Sequence, residues 1–358
     1  MENVFTALSI SLISNHKRFV IVSNDSKQTL PKFTNLLTNT CSFDPSQYCV
    51  IDLLTVHTTI DLIHKMTNYS NNKYYLKNVI IWQNVQYLTL NQHKSLYKLI
   101  LQIDQYEMTG LKDKPIEITI GNNDEVLSIE RPELFTIVMV LDYSAFNRKP
   151  YIFLKEKFWF AVNYNDSTLD MNYIPSEKNY QDTILKLRSR IGEVYISPDI
   201  KKYIYSLIVF TRCHRLTSLA PKSARLPTAT IDYINDFCKS LILWQNRSNL
   251  GKDLFVTPGH VKLAFRKIGY WLVDWEYNEK FAKDTTRNVD VDDVGTESNL
   301  EYEKRLAISM LTGDWYGSDY FFVNEYLKNS TSKLDKKSPT GYTNRIIEDV
   351  ISSVRPPL

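Results

Sequence analysis

Apolar positions recur at helical spacing through the middle of the chain. Ile200, Ile204, Leu207 and Ile208 mark one face of a 3.6-residue period, and Val261, Phe265, Ile268, Leu272 and Trp275 mark another. Both stripes open alike, with Ser197-Pro198-Asp199 and Thr257-Pro258. A capping hydroxyl is followed by a proline placed where its missing N–H costs nothing. Between them Ile231, Ile234, Cys238 and Leu241 mark a middle helix. Three amphipathic helices that each need a partner face predict a small helical bundle. Upstream the pattern changes to short continuous apolar runs at Arg18 to Val22, Tyr48 to Leu54, Asn78 to Trp82 and Phe135 to Leu141. These read as buried strands. Helical spacing returns between them, at Ile60, Ile63 and Met66 and again from Tyr87 to Ile103, and Gly121-Asn122-Asn123-Asp124 predicts a hairpin within Ile116 to Ile129. Strands alternating with helices predict an α/β fold with an open, mostly parallel sheet covered on both faces.

The pattern divides the chain into an α/β core over 1–165, a helical unit over 183–280, and a polar linker with a C-terminal helical extension over 281–358. In the last part Asp284 to Asn299 reads as an acidic loop and Leu300 to Leu311 as a helix, and Ile346, Ile347, Val350, Ile351 and Val354 mark a final helix. Trp315, Tyr316, Tyr320, Phe321, Phe322 and Tyr326 crowd one short stretch. Aromatics bury large area at little entropic cost, so Trp315 and Tyr316 are candidates for a protein-partner contact; packing against the core is the alternative.

Composition narrows the classes. At 358 residues the chain has room for two domains, and 43% hydrophobic with 23% charged residues is ordinary for a globular protein. No apolar run approaches the ~18 residues of a membrane span, so no membrane partner is expected. The N-terminal stretch has no basic start, so no signal peptide is expected. Four cysteines without a CxxC pair support neither zinc nor a disulfide framework. The expectation is an intracellular protein of cytoplasm or nucleus. A net charge of +3 is too small to argue for nucleic acid by itself.

His57, Asp61 and His64 have a spacing that suits metal on a helix, but a polar surface face explains them as well, and no metal is expected. Asp290, Asp292, Gly295 and Glu301 match part of a calcium loop, which Val294 and Glu297 break. Lys186 to Arg225 carries nine Lys and Arg against Glu193 and Asp199. This is either a nucleic-acid surface or a solvated helix face, and the absence of interleaved exposed aromatics favours the second.

Thr211-Arg212, then Lys222-Ser223-Ala224-Arg225, then Val256-Thr257-Pro258 resemble the helical lid of the MoxR and magnesium-chelatase I-subunit branch of AAA+ ATPases. That family runs from Thr-Arg through a Gly-Ala-Ser-Pro-Arg-Ala turn to a Val-Thr-Pro start. The family glycine and proline are missing from the turn, while Ser223 and Arg225 keep their spacing. The resemblance covers about residues 1 to 280 in order of elements and is sharpest in the lid. It implies a P-loop α/β sandwich followed by a small helical lid, with Arg225 as the arginine that reaches a bound γ-phosphate.

The family's nucleotide motifs are replaced one by one. Its GxxxxGKT loop holds phosphates with backbone N–H groups and a lysine. The matching residues run from Val22 to Thr29. Val22 and Lys27 stand for the glycines, Gln28 for the lysine, and Asp25 adds negative charge; Thr29 survives, and Lys27 is the nearest substitute cation. The scarcity of glycine, 10 in the whole chain, agrees. Gln83-Asn84 replaces the Asp-Glu pair that holds magnesium and activates water, and amides supply neither the charge nor a base. Asp142 stands where a sensor asparagine belongs, and Lys157 replaces the arginine finger without its planar fork. The expectation is a catalytically inactive AAA+-like scaffold or adaptor with no catalytic residue and no resident cofactor. Its expected partner is a protein, with nucleic acid as a second class. The alternatives are a slow NTPase with relocated residues and a nucleic-acid-binding module that uses the basic lid.

Overall fold

The computed structural model describes residues 1–14, 18–70, 73–108, 116–120, 125–142, 150–164, 179–214, 217, 226–249, 254–273, 335 and 338–357. Helix α1 (Glu2–Ile13) leads into β1 (Arg18–Ser23), α2 (Ser26–Asn35) and β2 (Tyr48–Asp52). Then come α3 (Thr59–Met66), β3 (Thr67–Ser70), β4 (Lys73–Leu76), β5 (Val79–Gln83) and α4 (Leu90–Met108). Strands β6 (Ile116–Ile120), β7 (Glu125–Glu130) and β8 (Thr136–Asp142) precede α5 (Ile152–Glu156) and β9 (Phe158–Tyr164). Helices α6 (Tyr180–Ser189), α7 (Pro198–Cys213), α8 (Thr230–Gln245), α9 (Pro258–Leu272) and α10 (Arg345–Ser353) follow.

Five strands form one parallel sheet in the order β2-β5-β8-β1-β9. All six β1 residues are buried, which is why its sequence is a continuous apolar run rather than an alternating one. Ile21 lies between Val140 of β8 and Val162 of β9. The chain leaves β1 toward β2 at one edge, returns through β5 and β8, and then crosses to β9 beyond β1. That reversal puts a topological switch at β1, and in open α/β sheets ligands bind outside the carboxyl ends of strands at such a point. A second sheet, β3-β4-β7-β6, joins the expected β6–β7 hairpin to a β3–β4 hairpin.

The helical part sits directly on the sheet. Phe237 of α8 meets Trp159 and Phe160 of β9 edge-on, at ring distances of 5.7 and 5.0 Å. The Trp271 indole N–H of α9 donates to the carbonyls of Phe158, at 2.8 Å, and Lys155, at 3.1 Å. Ser240 of α8 bonds Ser14, just after α1, at 2.6 Å, and Tyr180 of α6 bonds Ser9 of α1 at 3.0 Å. One hydrophobic core therefore runs from the strands through all these helices. The apolar stripes of α7 and α9 are buried, as their spacing implies. Their two matched starts lie side by side: the Tyr195 N–H donates to the Leu254 carbonyl at 2.8 Å, and the Val256 N–H to the Tyr195 carbonyl at 3.0 Å.

The final helix docks on α9 at Gly269, where a Cβ would stand 2.6 Å from Ile347 Cδ1. Arg266 grips the Glu348 carboxylate with two hydrogen bonds of 2.7 and 2.6 Å, and the Asn344 side chain donates to the Val273 carbonyl at 3.1 Å.

Several observed elements go beyond what the sequence pattern predicts. The stretches of α2 and α5 and residues 180–182 of α6 are helical, β9 borders β1, and β3–β4 widens the second sheet. Arg225, Trp275, the acidic loop and the aromatic stretch with Trp315 and Tyr316 lie outside the described residues.

Phe265 is fully buried between these layers. Phe265→Ala should lower stability by about 3–5 kcal/mol, as a large-to-small core change does. A thermal or denaturant melt measures this, and an unchanged midpoint would mean that the α9 stripe is not core.

Candidate functional site

The carboxyl ends of β1 and β8 meet α2 at the switch point. Ser23 ends β1 and pairs in register with Asp142, the last residue of β8. A helix starting here exposes backbone N–H groups and the positive end of its dipole, which is the usual ground for phosphate binding. The chain fills that ground itself. Asp25 is the N-cap of α2, and its Oδ1 accepts from the N–H groups of Lys27, at 2.9 Å, and Gln28, at 3.3 Å. Asp142 Oδ1 accepts from the Ser26 N–H at 2.9 Å, and its Oδ2 from the Ser26 hydroxyl at 3.2 Å. Two carboxylates thus hold the first three N–H groups of the helix.

Thr29, the position that matches the phosphate-loop motif, is also engaged. Thr29 is buried, and its hydroxyl donates to the Asp25 carbonyl at 2.6 Å and stands 2.6 Å from the Ser23 hydroxyl. Lys27 and Gln28 are exposed, and only their backbone N–H groups contact Asp25.

Gln83 ends β5 in register with Val140, two residues short of Asp142. Asn84 follows with φ of 64°, in the left-handed region that asparagine tolerates. Its side-chain amide donates to Asp52 Oδ1 at 2.9 Å, and the same oxygen accepts from the Leu54 N–H at 3.0 Å. Asn84 therefore ties the end of β5 to the end of β2 as a structural bracket.

Lys157 lies at the other end of the sheet, next to the start of β9. Its ammonium donates to Asp104 Oδ2 of α4 at 2.9 Å, and Arg18 at the start of β1 pairs with Oδ1 of the same carboxylate. Burial alone would push the Asp104 carboxyl up, but the Arg18 guanidinium and the Lys157 ammonium outweigh it and hold the carboxyl below the usual carboxylate range. The structure brings Thr29 and the backbone of Lys27 and Gln28 together with Asp142, and leaves Lys157 elsewhere. Asp25 and Asp142 as helix caps are what the sequence reading missed. An Asp directly before Ser-Lys-Gln is an N-cap signal; the Asp142 contact needs the β1–β8 register.

Among the other candidates, His57 precedes Thr58, the N-cap of α3, so it does not share a helical face with Asp61 and His64. Among the described residues no group of three side chains is placed to hold a metal. Of the six basic residues described in Lys186 to Arg225, four have partners: Arg188 donates to the Leu12 and Glu133 carbonyls, Arg190 pairs with Glu193, Lys202 with Asp199, and Arg212 donates to the Leu226 carbonyl. Contrary to the sequence expectation, exposed aromatics are interleaved with them, at Tyr195, Tyr205 and Phe210. Among the described residues no helix is long and apolar enough to cross a membrane.

No family model matches the chain. It is 28% identical over 121 residues to a maintenance of telomere capping protein 2 from Lachancea thermotolerans, covering 33% of this chain and 36% of that protein. It is 25% identical over 228 residues to the protein of the same name from Saccharomyces cerevisiae strain YJM789, covering 57% of this chain and 54% of that protein. The chain thus spans between about a third and a half of the length of these curated relatives. Among solved structures, a presumed ATPase from Cytophaga hutchinsonii superposes with a TM-score of 0.49 at 15% identity, covering 84% of this chain and 88% of that one.

Asp104 carries a signed pH prediction. Its folded-state pKa lies below the unfolded value, so its stabilisation is fully present above the ordinary carboxylate pKa of about 4 and is lost as pH falls through the depressed folded value. Asp104→Asn should cost about 3 kcal/mol at neutral pH, since it leaves the buried Arg18 guanidinium and the half-buried Lys157 ammonium unpaired. The difference between the two proteins should shrink on acidification. Melting curves across pH check this, and a difference that grows toward low pH would contradict it.

Proposed function

We propose that this chain is an AAA+-like protein of the MoxR and magnesium-chelatase type that neither binds nor hydrolyses nucleotide and acts as a scaffold or adaptor. The observation that carries the reading is the occupied start of α2, where Asp25 and Asp142 take the three N–H groups that a phosphate would use. A nucleotide would have to displace two anions of the same sign and would find neither the loop lysine nor the magnesium carboxylates of the family motif. Each lost charge-assisted phosphate contact is worth about 1.5–3 kcal/mol. Three of them amount to at least about 4–5 kcal/mol, roughly three powers of ten in affinity.

On this reading the α/β core of 1–165 and the helical lid of 183–280 keep the family's architecture, while 281–358 is an addition that includes the docked α10. The relatives' shared name supports placing this chain in telomere capping, in a nuclear or cytoplasmic complex with protein partners. A role built on contacts rather than turnover agrees with the continuous core, since a helical part fixed to β9 and α1 presents constant surfaces.

Calorimetry with ATP, ADP and GTP in the presence of magnesium should give no saturable heat, and purified protein should release no phosphate above the blank. Turnover that follows the protein through purification and disappears on Arg225→Ala would overturn the reading in favour of a slow NTPase.

A further inference from the structure

The matched starts of α7 and α9 do more than cap two helices. Val194-Tyr195-Ile196-Ser197-Pro198 and Leu254-Phe255-Val256-Thr257-Pro258 run side by side in parallel, joined at Tyr195 and Phe255. The residues on either side are inside: Val194 and Ile196 in one segment and Leu254 and Val256 in the other are buried. Tyr195 and Phe255 point the other way, and at 61% and 56% exposure they are among the barest large apolar residues described. Two adjacent exposed rings are more than the scattered single residues that a surface normally shows. They border an open cleft of about 510 Å³ lined by Glu193, Tyr195, Ser197, Leu254, Phe255 and Val256.

The backbone at this place is half used. Tyr195 spends its N–H on Leu254 and its carbonyl on Val256. In a parallel pair that pattern turns the N–H and carbonyl of Phe255 away from Tyr195, and among the described residues they meet no partner. Glu193 adds a charge. Both bonds from Arg190 end on its Oε2, so Oε1 has no partner among the described residues, and the hydrogen bond from Arg190 holds the carboxyl below its usual range.

We propose that this doublet is a docking edge for an extended peptide segment of a partner protein. The segment adds beside Phe255 by backbone hydrogen bonds, lays an apolar side chain against the two rings, and offers a basic side chain to Glu193. The open N–H and carbonyl ask for a strand, as in other strand additions. The aromatic pair asks for an apolar anchor. The free Glu193 Oε1 leaves one carboxylate acceptor open beside the rings, which suits a basic side chain of the segment. The inference gives the adaptor reading a docking surface without depending on it, because peptide binding here succeeds or fails whatever nucleotide does.

The probe is a fluorescein-labelled pentapeptide, acetyl-Lys-Val-Phe-Val-Lys-amide, titrated with the full chain by anisotropy, while amide shifts are followed in isotope-labelled protein. Saturable binding is expected, with shifts centred on Leu254, Phe255 and Val256. Phe255→Ala, replacement of both peptide lysines by glutamate, and N-methylation of the central peptide bond should each weaken it about tenfold or more. Because Phe255 is exposed, its alanine variant should keep the wild-type melting midpoint; Tyr195→Ala is the second variant if it does not. Failure to saturate at millimolar peptide, or binding indifferent to Phe255→Ala and to N-methylation, would overturn the proposal. Self-association in sedimentation that Phe255→Ala abolishes would also overturn it, by making a second copy of the chain the occupant.

Discussion

A helix start must satisfy backbone N–H groups that have no partner within the helix, and here the first turn of α2 constrains the whole site. These groups lie at the carboxyl ends of β1 and β8, the point where an open parallel sheet offers anion binding. In this chain Asp25 reaches them from the preceding residue and Asp142 from the neighbouring strand. A carboxylate is a strong cap because it meets both the N–H groups and the positive end of the helix dipole. Asp142 thereby holds α2 to β8, and Asp25 completes the cap of the first turn.

The opposite end of the sheet is organised by a second carboxylate. Asp104 gathers Arg18 from β1 and Lys157 from the start of β9, so α4, β1 and β9 are locked together there. Along the same edge, Trp271 bonds the carbonyls of Lys155 and Phe158, and Phe237 packs on Trp159 and Phe160. The segment from 155 to 160 is therefore where the helical part is fastened to the sheet. This joint is hydrogen-bonded and filled with aromatic rings.

Much of the fold follows from pattern alone, because continuous apolar runs such as Phe19 to Val22 leave few choices besides a buried strand. The starts of α7 and α9 are equally plain, since a hydroxyl before a proline states where a helix begins. Strand β9 is less plain in the sequence, since its apolar start Phe158-Trp159-Phe160 follows directly on the charged Lys155-Glu156-Lys157. The β3–β4 hairpin was hidden for a different reason: Thr67 to Ser70 is polar and owes its pairing to the neighbouring strands. At the site, the Asp25-Ser26 start of α2 is visible in sequence, but its second cap is not. Asp142 lies 116 residues from Ser26, and only the pairing of β1 with β8 brings them together.

The most direct test follows the amides of Ser26, Lys27 and Gln28 by nuclear magnetic resonance during titration with magnesium ATP and with pyrophosphate. The account predicts that all three keep their positions to millimolar ligand, because their hydrogen bonds to Asp25 and Asp142 persist. Saturable shifts of these three amides in the wild-type chain would show that an anion displaces the carboxylates, and would contradict the account at its centre.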